Sequence, residues 1–164
     1  MILKNLSKNF YINLSVILSI FILDRITKLY VIYLSNKSLK SEIFSSKFLN
    51  INLIWNEGIA FGLFSFDQKN LYNLLSMIIL LVILIVLKMM VGSEGAKKYA
   101  LLMITGGAIG NFYDRIAFKA VPDFIDFHIG QLHWFIFNGA DIFITIGIIF
   151  LILHELIDNN KSYE

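Results

Sequence analysis

Four stretches of the chain lack the polar face that a soluble surface helix would show. They cover about residues 10–34, 71–91, 99–118 and 137–157. The second, LYNLLSMIILLVILIVLKMMV, is apolar on every side of a 3.6-residue repeat, the pattern of a helix surrounded by hydrocarbon. A bilayer takes roughly 20 residues of helix to cross, so each stretch is long enough to span one. Between the second and third lies GSEGAKK, a tight polar turn. The connections 35–70 and 119–136 are longer, and their period changes. In KFLNINLIWN the positions of Phe48, Ile51 and Leu53 hint at short strands, and FIDFHIGQLHWFIF places an apolar run on each side of Gly130-Gln131, a hairpin signal. The expected fold class is an all-α membrane protein of four transmembrane helices, with a small β element and a surface loop at one membrane face.

Composition supports that reading. The chain is 57% hydrophobic and 16% charged with a mean hydropathy of +0.72, whereas soluble domains carry about 25% charged residues. A single domain over residues 1–164 is expected. The absence of cysteine excludes disulfides, thiolate metal sites and a cysteine nucleophile. A net charge of +2 without a basic run gives no sign of a nucleic-acid partner. Lys4 and Lys8 ahead of the apolar run from Tyr11 to Leu23 imitate a signal peptide. No small-residue cleavage site follows, and Asp24, Arg25 and Lys28 continue a helix-compatible sequence, so an uncleaved first span is expected.

Four spans carry a parity argument that needs no orientation. Both long connections lie on one side, with the C-terminal ends of spans one and three and the N-terminal ends of two and four. Asp24, Asn56, Asn111, Asp114, Asp123, Asn138 and Asp141 all fall toward that face. Six lysines lie on the side of the termini and short turn (Lys4, Lys8, Lys88, Lys97, Lys98, Lys161). Five lie in the long connections (Lys37, Lys40, Lys47, Lys69, Lys119), so the positive-inside rule leans toward both termini in the cytoplasm.

Polar residues inside such helices mark the places where chemistry is possible. Asp24 and Lys28 are four apart and share a helical face, where they can pair. A charge within a span costs about 2.5–3.5 kcal/mol on insertion scales, so these groups are expected to face the bundle interior or to snorkel to the interface. Gly106 and Gly110 in TGGAIGN have the small-xxx-small spacing that lets another helix approach, and Asn111 is expected to hydrogen-bond across that contact. Asp114-Arg115 reads as an interfacial anchor or an internal tether. Asp123 follows Pro122, the only proline, which is expected to end any helix continuing from span three. Its stiff, aromatic surroundings penalise the charged carboxylate. Asp126, three residues further on a strand, points to the opposite face and is expected to be solvated. Asp141 opens span four, where the helix dipole favours a carboxylate.

If Asp123 and Asp141 converge, they share one proton and can activate a water between them, the arrangement for acid–base peptide hydrolysis without a metal. His128, His133 and His154 form no helical pair with a glutamate, so no zinc site or other cofactor is expected. A proton-coupled transporter or a non-catalytic scaffold held by Asp–Arg pairs is the alternative that these residues leave open.

Five motifs in order resemble the lipoprotein signal peptidase (signal peptidase II) family of bacterial membrane aspartyl peptidases: DRITK at 24–28, NEGIAFG at 56–62, GGAIGNFYDR at 106–115, VPDF at 121–124 and FNGAD at 137–141. The resemblance runs from about residue 17 to 155. It implies a peptidase of the inner membrane that cleaves a prolipoprotein before its diacylglyceryl-modified cysteine, with the site toward the periplasmic or outer face. It implies Asp123 and Asp141 as the catalytic pair. Asp24, Lys28, Asn56, Gly58, Phe61, Gly107, Asn111, Asp114, Arg115, Asn138 and Ala140 would shape the site or hold substrate. The implied partners are the lipid-modified precursor and membrane lipid, the protein acting as a monomer. The chain departs from the family's usual pattern at Arg25, Pro122 and Gly139, where glutamine, an aliphatic residue and a branched apolar residue are common. Arg25 adds a cation that can alter head-group contacts. Gly58 and Gly62 around Ala60-Phe61 suggest a mobile cover, with Phe61 as its lid residue.

Overall fold

The structure, a computed structural model, describes residues 2–38, 42–58 and 68–161. Phe61 and the cover expected around it lie outside the described residues. The elements run α1 (Ile2–Ser38), β1 (Glu42–Ser45), β2 (Leu49–Asn56), α2 (Gln68–Val91), α3 (Gly95–Phe118), β3 (Val121–Ile129), β4 (Leu132–His133) and α4 (Gly139–Lys161). Helix α1 is longer at both ends than the expected 10–34. No glycine or proline precedes Gly58 in the chain, so nothing local breaks the helix where the apolar run stops.

Two helices, over Tyr72–Val91 and Gly139–Asp158, are long and apolar enough to cross a membrane by length and composition. Helix α2 turns Leu74, Met77, Leu81 and Leu84 outward and buries Ile83. The core instead centres on α3, where Ala100, Leu101, Leu102 and Thr105 are buried. Its glycines set how closely the neighbours approach. A Cβ on Gly106 would lie 2.9 Å from Ile20 of α1, and one on Gly110 2.6 Å from Asp24 Oδ2. Gly107 faces α4 instead, with the Ala140 carbonyl oxygen 2.5 Å from where its Cβ would be. A backbone carbonyl cannot swing aside as a side chain can. Gly107→Ala is therefore expected to cost about 1–3 kcal/mol of stability by overpacking, and chemical unfolding in detergent checks it. An unchanged midpoint would mean that α3 and α4 can separate freely here.

The four strands form one antiparallel sheet in the order β1-β2-β3-β4. The strand expected in KFLNINLIWN is β2. The hairpin expected at Gly130-Gln131 joins β3 to β4, with Gly130 at φ 61 and His128 opposite His133. Helix α3 ends before the proline does anything. It stops at Phe118, because Lys119 takes a left-handed conformation (φ 59, ψ 14) that reverses the chain. Pro122 then sits near the start of β3 opposite Trp55, a position where strands tolerate proline. Ahead of α4, Phe137 bridges to Ile125: the Phe137 N–H donates to the Ile125 carbonyl at 3.1 Å, and the Ile125 N–H returns the bond at 2.8 Å. That bridge brings the next residue, Asn138, alongside β3.

Candidate active site

Asn138 is the residue on which the site is built. It is fully buried and caps α4, its Oδ1 accepting from the Asp141 N–H at 3.3 Å while Asp141 Oδ2 accepts from the Asn138 N–H at 3.1 Å. This reciprocal capping box holds the Asp141 carboxylate at the third position of the helix. The remaining amide hydrogens of Asn138 point the other way, and Nδ2 donates to Asp123 Oδ1 at 2.6 Å. One residue therefore positions both acids, Asp123 through its side chain and Asp141 through its backbone N–H. Asp123 Oδ2 accepts from Asn56 Nδ2 at 2.9 Å, and Asn56 Oδ1 in turn accepts from the Gly58 N–H at 2.8 Å. Asp141 Oδ1 accepts from Asn111 Nδ2 at 2.7 Å.

Asp123 lies outside the helices and is buried. Burial pushes its carboxyl above the usual carboxylate range. The Asn138 and Asn56 amides pull it back, the Asp141 charge adds to the rise, and Lys28 opposes it.

Behind the two acids lies a closed cluster of charges. Lys28 Nζ donates to Asp24 Oδ2 at 3.0 Å, to Asn111 Oδ1 at 2.8 Å and to Asp114 Oδ2 at 2.7 Å, so three acceptors meet the three hydrogens of a fully buried ammonium. Asp24 Oδ1 accepts from the Ala140 N–H at 3.0 Å, placing its charge at the positive end of α4. Arg25 is not directed to the interface as a snorkelling residue would be. It donates Nη2 to Asp114 Oδ2 at 2.7 Å and to Asp24 Oδ2 at 2.6 Å, pairs through Nη1 with Asp114 Oδ1, and stacks its guanidinium over Tyr113 and Phe21. Its charge is paired with two carboxylates inside the bundle.

Asp114 is thus a tether between helices and not an interfacial anchor, and it does not pair with its neighbour Arg115. Arg115 Nη1 donates instead to the Asn111 carbonyl at 3.2 Å, and its own carbonyl accepts from the Tyr72 hydroxyl at 2.6 Å. Gly139 leaves room between α4 and α1: a Cβ there would lie 3.3 Å from Thr27 Oγ1.

The expectation that Asp126 is solvated is incorrect. Asp126 is 2% exposed, because the face of β3 opposite the two acids is also covered. It meets Asn50 Nδ2 at 3.2 Å and His133 Nδ1 at 2.9 Å. The signal for this was present as an Asp-x-His alternation on a strand with a second histidine across the hairpin.

An apolar cavity of about 680 Å³ adjoins Asp141, walled by Phe48, Phe127, Leu132, Trp134, Ile142 and Ile146 among others. Two acids gripped by one asparagine, Asp123 through its side-chain amide and Asp141 through its backbone N–H, thus stand together, and the cavity beside Asp141 suits hydrocarbon. The family model described as Signal peptidase (SPase) II matches residues 16–157. The chain is 53% identical over 155 residues to the lipoprotein signal peptidase of Pelagibacter ubique (strain HTCC1062), covering 94% of this chain and 93% of that one. It is 38% identical over 140 residues to that of Francisella tularensis subsp. novicida (strain U112), covering 82% and 87%. A bacterial membrane enzyme solved by the in meso method at 2.3 Å resolution superposes with a TM-score of 0.73 at 28% identity, covering 91% of this chain and 90% of that one. The chain belongs to the signal peptidase II family, the aspartyl peptidases that remove signal peptides from prolipoproteins. That membership displaces the transporter and scaffold readings.

Proposed function

We propose that the protein crosses the bacterial inner membrane four times and cleaves prolipoproteins immediately before the diacylglyceryl-modified cysteine, with Asp123 and Asp141 as its catalytic pair. The observation that carries this is the shared grip of Asn138 on both acids, beside an apolar cavity that Asp141 itself lines. The ionised carboxylate of the pair takes a proton from water as the water oxygen attacks the scissile carbonyl carbon. The protonated one donates to the carbonyl oxygen. When the tetrahedral intermediate collapses, the leaving amine takes the proton now held by the first acid, a hydroxyl of the intermediate returns its proton to the second as the carbonyl re-forms, and the enzyme is back in its starting state. The substrate's acyl chains occupy the cavity and supply binding energy remote from the reacting bond. Asn56, Asn111 and Lys28 orient the acids, and Asp24, Asp114, Arg25 and the glycines of α3 hold the helices that carry them.

Helices α1 and α3 carry the charged residues Asp24, Arg25, Lys28, Asp114 and Arg115. The first four are engaged with one another, and they sum to zero charge. The outer side of α1 presents Ile22, Leu23, Ile26 and Leu29. This supports four spans; the proposal further puts both termini in the cytoplasm and the site at the periplasmic or outer face, worked by a monomer in contact with membrane lipid. The test is cleavage by the purified protein of a diacylglyceryl-modified precursor and of the same precursor without the lipid. Release of a product beginning at the modified cysteine, from the lipidated form alone, is expected; equal cleavage of the bare precursor would refute the lipid-dependent site.

The Asn56 contact allows the roles within the pair to be assigned. Asn56 stabilises the ionised Asp123, so Asn56→Ala raises the Asp123 pKa further. Whichever limb of the kcat/KM profile Asp123 governs moves to higher pH. Movement of the acidic limb assigns Asp123 as the base, and movement of the alkaline limb assigns it as the acid. A profile identical to wild type would mean that Asp123 does not titrate in the reaction.

A further inference from the structure

On the face of β3 turned away from Asp123, Asp126 and His128 stand at alternate strand positions, and His133 of β4 is the cross-strand partner of His128. The three side chains therefore project from one side of the hairpin. One ligand atom from each, a carboxylate oxygen and two ring nitrogens, lies within 4.8 Å of the other two. We propose that Asp126, His128 and His133 form a binding site for a zinc-class divalent ion.

Three further features favour an ion here over a set of hydrogen bonds. Asp126 is a buried carboxylate, and among the described residues no lysine or arginine pairs with it; its companions are the His133 ring and the Asn50 amide. The Nδ1 of His128 is buried without a hydrogen-bond partner. The rings of His128 and His133 are stacked with centroids 5.0 Å apart and 20° between planes, so their nitrogens are already near one another. Zinc bonds of about 2.0–2.2 Å to nitrogen and oxygen in a tetrahedron set ligand atoms about 3.3 Å apart, a contraction that side-chain rotation supplies. Two imidazoles and one carboxylate select zinc, cobalt or nickel over magnesium and calcium, which prefer an all-oxygen shell. Three protein ligands leave the fourth position to water. Asn50, donating to Asp126 Oδ2, holds the carboxylate from behind as an outer-shell partner does.

An ion at this site cross-links β3 to β4. His128 itself, Leu132 of β4 and Trp134 just beyond it wall the apolar cavity, so occupancy stiffens that wall. The experiment titrates the purified, metal-stripped full-length protein in detergent with Zn²⁺ by calorimetry, and with Co²⁺ by visible absorption. One bound ion per chain with a tetrahedral cobalt spectrum is expected. His133 is half exposed, so His133→Ala should fold normally and lose the site; His128→Gln carries the same readout should that variant misfold. Asn50→Ala should weaken binding about tenfold, as loss of an outer-shell partner does. His154→Ala removes a histidine that pairs with Asp158 on α4 and should leave binding unchanged. Absence of binding by wild type, or retention of wild-type affinity by the folded His133 or His128 variant, would overturn the site.

Discussion

Asp123→Asn and Asp141→Asn are each expected to lower prolipoprotein cleavage by about 10²–10⁴-fold or more, the scale of a lost general acid or base. The double variant should be no slower than the worse single one. Two acids that share one proton act as a unit, and once either is neutralised the other has no partner. Both variants should remain folded. Asn keeps the shape of the carboxyl, and at Asp123, where burial already favours the neutral form, it resembles the protonated acid. One donor, from Asn138 or Asn56, then faces an amide nitrogen, a local loss of about 1–3 kcal/mol against a total stability of about 5–15 kcal/mol. Cleavage and thermal unfolding are read on the same preparations. A folded single variant that still cleaves at the wild-type rate removes that residue from the pair, and rates that multiply in the double variant would mean that the acids work independently.

Lys28→Met is expected to destabilise the protein by about 3–5 kcal/mol, the cost of leaving a buried charge unpaired. Methionine fills much of the same length and removes three hydrogen bonds at once, to Asp24, Asn111 and Asp114. The cluster of Asp24, Arg25 and Asp114 is left with one net negative charge. Activity should fall further than stability alone explains, because Asn111 loses the contact that orients it toward Asp141 Oδ1. Adding Asp114→Asn to Lys28→Met returns the cluster to neutrality, so the double variant should be more stable than the sum of the two single losses predicts. Unfolding in detergent measures all three. If Lys28→Met unfolds like wild type, the cluster does not hold α1 against α3.

The legible parts of this chain are those written in local pattern. Helix α2 is apolar all round, long and apolar enough to cross a membrane, and that needs no partner to read. The β3–β4 hairpin was marked by Gly130-Gln131, and β2 by the alternation within KFLNINLIWN. The pairing of Asp24 with Lys28 follows from a four-residue offset on one helix, and it forms at 2.9 Å. The close contacts of Gly106 and Gly110 with α1 follow from the absence of side chains, although the choice of α1 over another helix was not in the sequence.

Partnership across long separations belonged to the tertiary structure. Nothing near Arg25 says that it meets Asp114, 89 residues away, or that Asp24 accepts from the Ala140 N–H, 116 residues away. A single strand's alternation distinguishes two faces but does not say that both are covered, and for that reason Asp126 reads as solvated when it is buried. The end of α3 depended on Lys119 in a left-handed conformation that glycine would have advertised and lysine did not. Sequence alone determined the apolar helices and the order of the polar motifs, because transfer out of water is scored residue by residue. Only the folded chain decided which motifs touch. The Phe137–Ile125 bridge, by setting Asn138 against Asp123 as it caps α4, brought two distant aspartates onto a single asparagine.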